Sequence, residues 1–362
     1  MTPAPAVMAG VQLTGHGGPE CLVWNGAISV PEPGPGEALV QVLAAGVNNT
    51  DINTRIGWYA PSVTGSTAEA ADAGGAEAGG WAGALAFPRI QGGDLCGRVV
   101  AVGEGVALAP GTRVTCPINQ SRATPASPRA FEAMGSEFDG AFAEYVCLKA
   151  ADLYDVSASP LSDVEIAAMP CAHGTALNLL DRARVVAGER VLVTGASGGV
   201  GLAAVQLAAH LGAEVIAVTS PEKAEAVRAA GAAEVLARGA LPPKQSLDAV
   251  IDVVGGPGFG ALLATLKAGG RLAVSGAVAG PIVEADLRQV YLRDLSILGA
   301  TWQDPAVFAK LVAWINEGAI RPLVSQTYPL AEIHRAQADF AAKTHAGKLV
   351  LLPPGHGSGG QP

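Results

Sequence analysis

The feature that most limits what this chain can fold into is a run of glycines between two apolar segments of different period, VLVTGASGGVGLAAVQLA over residues 191–208. Before it, RVLVTG at 190–195 reads as a buried strand. After it, Val200, Ala204, Leu207, Ala208 and Leu211 recur at helical spacing. A glycine turn joining strand directly to helix exposes backbone N–H groups and the helix N-terminus, which together cradle a pyrophosphate. Gly195, Ala196, Ser197, Gly198, Gly199 and Val200 are therefore the expected phosphate contacts. A tight connection with no ligand is the alternative, and the strand–turn–helix context weighs against it.

The rest of the second half keeps that rhythm. EVIAVT at 214–219, DAVIDVVG at 248–255 and RLAVSG at 271–276 are further candidates for buried parallel strands, with helical stretches between them. In a dinucleotide fold the second strand ends in an acid when the ribose carries a free 2′-hydroxyl. Here it ends Val218-Thr219-Ser220. Ser220 and Lys223, with Arg238 after the short run EVLARG, are placed instead to hold a 2′-phosphate, which favours NADPH over NADH. Solvated surface cations are the alternative reading of Lys223 and Arg238. Val254, Gly255 and Gly256 at one strand end, and Ser275 with Gly276 at the next, should flank the nicotinamide ribose.

From Val11 to about Pro160 the pattern is different: short strand-like runs such as ALVQVLAAGV, GRVVAVGEGV and FAEYVCL, broken by Gly and Pro, point to a β-rich, barrel-like domain. A chain of 362 residues accommodates two such cores. The stretch 61–83 is rich in Ala, Gly, Ser and acids and reads as a mobile surface insertion. A helix over roughly Asp304 to Glu317, then a strand, a helix and the strand KLVLLP close the fold, and the tail from 354 reads as disordered. A net charge of -9 speaks against nucleic acid or an anionic membrane as partner. No apolar run approaches the roughly 18 residues of a membrane span, and the N-terminus lacks a secretory pattern, so a cytoplasmic location is expected. Five widely spaced cysteines without a C-x-x-C pair suggest inert thiols.

The motifs AAGVNNTDINTRIGWY, PRIQGGDLCGRVVAVGEGV with GTRV, DGAFAEYV, the ASGGVG turn, DVVGG and the closing GKLVL resemble the medium-chain dehydrogenase/reductases over nearly the whole chain, and within them the zinc-free quinone oxidoreductase and enoyl reductase branch. The resemblance implies an α/β protein with a GroES-like β-barrel catalytic domain at 1–158, a Rossmann doubly wound parallel sheet at 159–300, the last Rossmann helix and the return to the catalytic domain at 301–353, and a homodimer or homotetramer. Zinc members of the family carry metal ligands where this chain has Asn48, Gly93 and Cys171. One thiolate beside Asn and Gly cannot supply the three ligands of a catalytic zinc, so no metal is expected.

Without a metal, the chemistry left is hydride transfer from NADPH to a quinone or to the C=C bond of an α,β-unsaturated carbonyl. By the resemblance, Tyr59 in DINTRIGWY stands where enoyl thioester reductases carry a proton donor, and Asn48 and Thr175 line the substrate and nicotinamide pocket. Packing of Tyr59 as an ordinary aromatic and a turn role for Asn48 are the competing readings. Asp51 is expected to orient its neighbours. Lys348 matches a family lysine near the cofactor phosphates, or is an ordinary strand-end lysine. Two rivals remain: a reductase dedicated to one biosynthetic enoyl or enone substrate, and an NADPH-binding protein without turnover.

Overall fold

A computed structural model describes residues 4–73, 80–81, 83 and 85–355. The remainder of the 61–83 stretch and residues 356–362 of the tail lie outside the described residues. The chain divides into two compact units, one of residues 1–60, 74–171 and 308–362, the other of residues 61–73 and 172–307.

The first unit is built round the strand Glu37–Gly46 (EALVQVLAAG), whose residues are buried on both faces rather than alternately. It is flanked antiparallel by Cys96–Val102, by Tyr145–Lys149 and by the last strand, Lys348–Leu352. The last strand also pairs in parallel with Val324–Pro329. A second sheet places Val7–Leu13 between Leu22–Ser29 and Arg89–Ile90. Val40, Val42, Leu95, Val99, Phe142 and Tyr328 fill the core between these strands. Such a double-sided apolar strand is what a central position requires, since no face is left for solvent.

The second unit is a six-stranded sheet in the order Glu234–Ala237, Glu214–Thr219, Arg190–Val193, Leu247–Asp252, Leu266–Val274, Ser296–Gly299. All five pairings are parallel. The strand order reverses between Arg190–Val193 and Leu247–Asp252, and this is the switch point at which α/β sheets bind ligands. The four apolar runs of the sequence are the four central strands. Ser296–Gly299, which the sequence reading did not pick out, is a short edge strand with mostly exposed side chains, so it carries no apolar signature.

The expectation for 61–83 changes over its first half. Thr67–Ala73 is a helix, and its start is capped: Ser66 N–H donates to Glu69 Oε2 at 2.7 Å while Glu69 N–H reaches Ser66 Oγ at 3.3 Å. Ser66 and Glu69 are a capping box three residues apart, a local signal that outweighs the low-complexity composition. Among the described residues no helix is long and apolar enough to cross a membrane.

Candidate active site

The glycine turn follows Arg190–Val193 and leads into the helix Gly199–His210, as expected from its sequence. Gly195 has φ +56, a left-handed conformation costly for any residue with a side chain. At Gly201 a Cβ would stand 2.2 Å from Gly195 O, so helix and turn approach as closely as glycine permits. The helix N-cap, Gly198, makes no side-chain hydrogen bond, which leaves the first-turn N–H groups open toward an anion.

A carboxylate fixes this turn to the neighbouring strand. Asp252, wholly buried at the end of Leu247–Asp252, accepts from Thr194 Oγ1 at 2.6 Å, from Val254 N–H at 3.0 Å and from Gly255 N–H at 3.2 Å. Val253 N–H in turn donates to Thr194 Oγ1 at 3.2 Å. Both lips of the switch point are thereby held by one side-chain pair. The strand end that carries Ser275 and Gly276 adjoins it, with Ser275 N–H 3.3 Å from Asp252 O. Asp252 lay within the DVVGG motif but was not singled out in the sequence.

At the end of Glu214–Thr219, Lys223 and Arg238 come near enough for the guanidinium to lower the ammonium's proton affinity, after burial as the larger cause. Two cations drawn together suit a dianionic group. Ser220 donates to the exposed Glu222 carboxylate, so a phosphate there would exchange one acceptor of the Ser220 hydroxyl for another. Thr219 Oγ1 is buried at the strand's end with no hydrogen-bond partner. The open turn, the paired cations and this orphaned hydroxyl fit a dinucleotide.

In the first unit the helix Asn49–Arg55 presents a buried polar centre. Asp94, wholly buried, accepts from Cys171 N–H at 2.5 Å, from Asn48 Nδ2 at 2.8 Å and from Lys348 Nζ at 2.8 Å. Lys348, itself 3% exposed, also donates to Val47 O at 2.9 Å and to Asn48 Oδ1. All three ammonium hydrogens are thus spent inside the unit. That corrects the expectation of Lys348 as a phosphate contact: a buried cation needs full pairing, and none of its donors remains. Asn48 is likewise committed, its Oδ1 to Lys348 and its Nδ2 to Asp94, so it shapes the site rather than offering its amide to a substrate. Sequence reasoning missed Asp94, the hub of this cluster, although it lies next to Gly93 in GGDLCG.

Asp51 accepts from Asn48 N–H at 2.7 Å. Burial pushes its carboxyl up to about 7, with Asp94 adding to the rise and the Asn48 N–H opposing it. The orienting role expected of Asp51 agrees with this contact. A Cβ at Gly93 would meet Ile118 Cδ1 at 2.1 Å, so no ligating side chain fits there unless Ile118 moves. Among the described residues, no group of three or more His, Cys, Asp or Glu is placed to hold a metal.

Tyr59 lies just beyond that helix. Its ring stacks parallel to Trp81, centroids 5.9 Å apart, and meets Trp58 edge-on at 5.6 Å. Trp81 N–H is anchored on Ser136 Oγ at 3.1 Å. Asn53 beside the Tyr59 hydroxyl favours the phenolate, but by less than burial opposes it. Burial, as the main cause, raises the phenol above its ordinary range, so it keeps its proton at neutral pH. The aromatic packing expected of Tyr59 is what these contacts show. Thr175 sits half-buried on the helix Pro170–Arg182 of the second unit.

Two family models match the chain: the alcohol dehydrogenase GroES-like domain over residues 34–158 and the zinc-binding dehydrogenase domain over residues 199–317. The chain is 32% identical to the acryloyl-coenzyme A reductase of Metallosphaera sedula, with 89% of this chain and 93% of the relative covered. It is 28% identical to the quinone oxidoreductase of Mus musculus, covering 97% and 100%. A solved structure of a presumptive alcohol dehydrogenase from Sinorhizobium meliloti 1021 superposes with a TM-score of 0.85 at 43% identity, over 97% of this chain and 98% of that one. The chain belongs to the medium-chain dehydrogenase/reductase superfamily, in its quinone and enoyl reductase branch, and is an oxidoreductase of that NAD(P)-dependent group.

Proposed function

We propose that this member of the superfamily is an NADPH-dependent reductase that needs no zinc and reduces the C=C bond of an α,β-unsaturated carbonyl, with quinones as alternative acceptors. The observation that carries the proposal is the Tyr59 phenol, stacked on Trp81 just beyond the helix Asn49–Arg55, in a chain whose zinc-ligand positions hold a committed amide and a glycine. Relatives named acryloyl-coenzyme A reductase and quinone oxidoreductase support the same pair of acceptors.

When bound, the nicotinamide supplies hydride to the β carbon. The turn at Gly195–Val200 holds the pyrophosphate, with Val254, Gly255, Ser275 and Gly276 beside the ribose, while Lys223, Arg238 and Ser220 hold the 2′-phosphate. As the β carbon gains hydride, the π electrons of the C=C bond pass toward the carbonyl oxygen and return to form a C–H bond at the α carbon. Tyr59 Oη gives the proton for that bond and is left as a phenolate, which takes a proton from water to restore the phenol. Thr175 is assigned to hydrogen-bond the acceptor. A quinone that takes the hydride needs one further proton, which solvent supplies, and does not require Tyr59.

The protein is further proposed to work as a homo-oligomer in the cytoplasm. Ile282, Leu287, Tyr291 and Leu292 are more than 60% exposed in the segment that precedes the edge strand Ser296–Gly299, which supports burial of this apolar face against another copy. Cysteines that form no disulfide fit a reducing compartment.

The test is oxidation of NADPH and NADH by chelator-treated protein, with crotonyl thioester, an enone and 1,4-benzoquinone as acceptors. Turnover with NADPH that survives chelation is expected. Tyr59→Phe should lower alkene reduction by about 100-fold or more and leave quinone reduction in place. Equal activity of the variant on both acceptors would remove Tyr59 from the mechanism, and NADPH binding without turnover on any acceptor would overturn the enzymatic reading.

A further inference from the structure

Asp252 closes its strand with a carboxylate that is wholly buried and, among the described residues, has no cationic partner. Its oxygens accept instead from the Thr194 hydroxyl at 2.6 Å and from the Val254 and Gly255 N–H groups at 3.0 and 3.2 Å. Burying a carboxylate against neutral donors alone costs stability that an apolar side chain would not. The Thr194 hydroxyl is committed in both directions, since it donates to the carboxylate and accepts from Val253 N–H at 3.2 Å. This one pair therefore ties the N–H groups of Val253, Val254 and Gly255 to the residue that opens the glycine turn. The backbone repeats the link, with Thr194 N–H donating to Ile251 O at 3.0 Å.

On its other side the same loop is held by the end of the next strand. Ser275 N–H donates to Asp252 O at 3.3 Å, Ala279 N–H to Val254 O at 2.9 Å and Gly256 N–H to Gly280 O at 3.0 Å. Gly255 and Gly256 have φ +62 and +66, so the loop follows a path that side chains would resist and its hydrogen bonds must hold.

We propose that Thr194 and Asp252 are positioning residues that couple the two halves of the dinucleotide site, by fixing the spacing between the turn that takes the pyrophosphate and the loop that lies beside the nicotinamide ribose. This rests on the reading of Gly195–Val200, Val254 and Gly255 as cofactor contacts. A dinucleotide touches both halves, so once one end is bound the other binds as an intramolecular event, and its strength depends on how well the spacing is set beforehand. A fragment that reaches only the turn has no use for that spacing. The same frame orients the nicotinamide for hydride transfer, where a small displacement is costly. Because the pair acts on the part that both nucleotides share, its effect is the same for NADPH and NADH, unlike that of Lys223 and Arg238. It is also the same for both acceptors, unlike that of Tyr59.

The experiment compares Thr194→Val, which keeps the shape and removes the hydroxyl, with Thr194→Ser, which keeps the hydroxyl, and with Asp252→Asn. Each is titrated calorimetrically with NADPH and with adenosine 2′,5′-bisphosphate, a fragment that lacks the nicotinamide half. Thr194→Val should weaken NADPH about tenfold and the bisphosphate less than about twofold. Thr194→Ser should restore NADPH binding to within about twofold of the wild type. Asp252→Asn, whose amide presents a donor where the loop needs an acceptor, should weaken NADPH at least as much as Thr194→Val. At saturating NADPH, kcat of Thr194→Val should fall by the same factor with crotonyl thioester and with 1,4-benzoquinone. Equal losses for NADPH and the bisphosphate would overturn the coupling and leave the pair as a support of the turn alone, and unchanged NADPH binding in Thr194→Val would overturn it outright. If Asp252→Asn does not fold, the two Thr194 variants still decide the question. A wild-type protein that binds neither compound is a separate result: it would remove the cofactor site itself, and the coupling with it.

Discussion

The glycine turn of the second unit and the polar centre of the first are both built to receive charge, and they are built from opposite materials. The turn uses backbone: glycines at 195, 198, 199 and 201 let strand and helix close up on each other, and the uncapped start of the helix turns its first N–H groups outward, while Ala196 and Gly198 spend theirs on Val218 O and Gly195 O. The polar centre uses side chains contributed from positions 48, 51, 94 and 348, plus one backbone N–H from Cys171. The first can be lost only by adding atoms. The second can be lost by removing any one partner, because what remains is a buried charge or an unsatisfied amide.

The sharpest way to break that contrast is Lys348→Met, which leaves the Asp94 carboxylate buried without its cation. Stability should fall by about 3–5 kcal/mol, read from denaturant unfolding, and the double variant with Asp94→Asn should recover much of it. A loss below about 1 kcal/mol would mean that the pair is not the keystone described here.

Asp51 sharpens the contrast through pH. Its carboxyl is raised from 3.8 to about 7 in the folded chain, so between those values the folded state holds more protons than the unfolded one. Stability from this group is therefore fully present below about pH 4 and is lost as the pH rises to about 7. Asp51→Asn should remove that dependence, gaining roughly 2–4 kcal/mol on the wild type between pH 4 and 7. Parallel stability–pH curves for the two proteins would contradict the assignment.

The turn is tested by adding atoms. Gly201→Val drives a side chain against Gly195 O and should weaken NADPH binding about tenfold or more, measured by fluorescence titration, while thermal stability changes less than in Lys348→Met. Smallest of all, Lys223→Ala or Arg238→Ala should weaken NADPH about three- to tenfold and leave NADH unaffected, if these exposed or half-exposed cations hold the 2′-phosphate as proposed. An equal loss for both cofactors would move them to another role.

The same contrast explains what could be read from the sequence. Strand, turn and helix of the nucleotide site lie within some twenty residues and announce themselves by period and by glycine, so the whole parallel sheet was legible except for the short, exposed edge strand Ser296–Gly299. The Ser66–Glu69 capping box was legible too, but composition masked it. The polar centre was not. Asp94 could be a surface acid by its local sequence, and Lys348 was read through the cofactor because nothing near it in the chain reveals Asp94 as its partner. Trp81 and Asn53 were missed for a similar reason, as their roles come from where Tyr59 lies in space.

The last strand of the chain has a consequence for how the protein is made. Lys348 reaches back 300 residues to Asn48 and 254 to Asp94, and Val350 pairs with Gly46. During synthesis the second unit, contained within residues 61–73 and 172–307, has all of its own sequence before the strand Lys348–Leu352 is made. The core around Glu37–Gly46 must wait, with Asp94 uncompensated and one flank of its central strand open, until Lys348–Leu352 has been made. A premature stop even a dozen residues short of the C-terminal strand's end would therefore leave a nascent chain with a complete nucleotide fold and a first unit that cannot close.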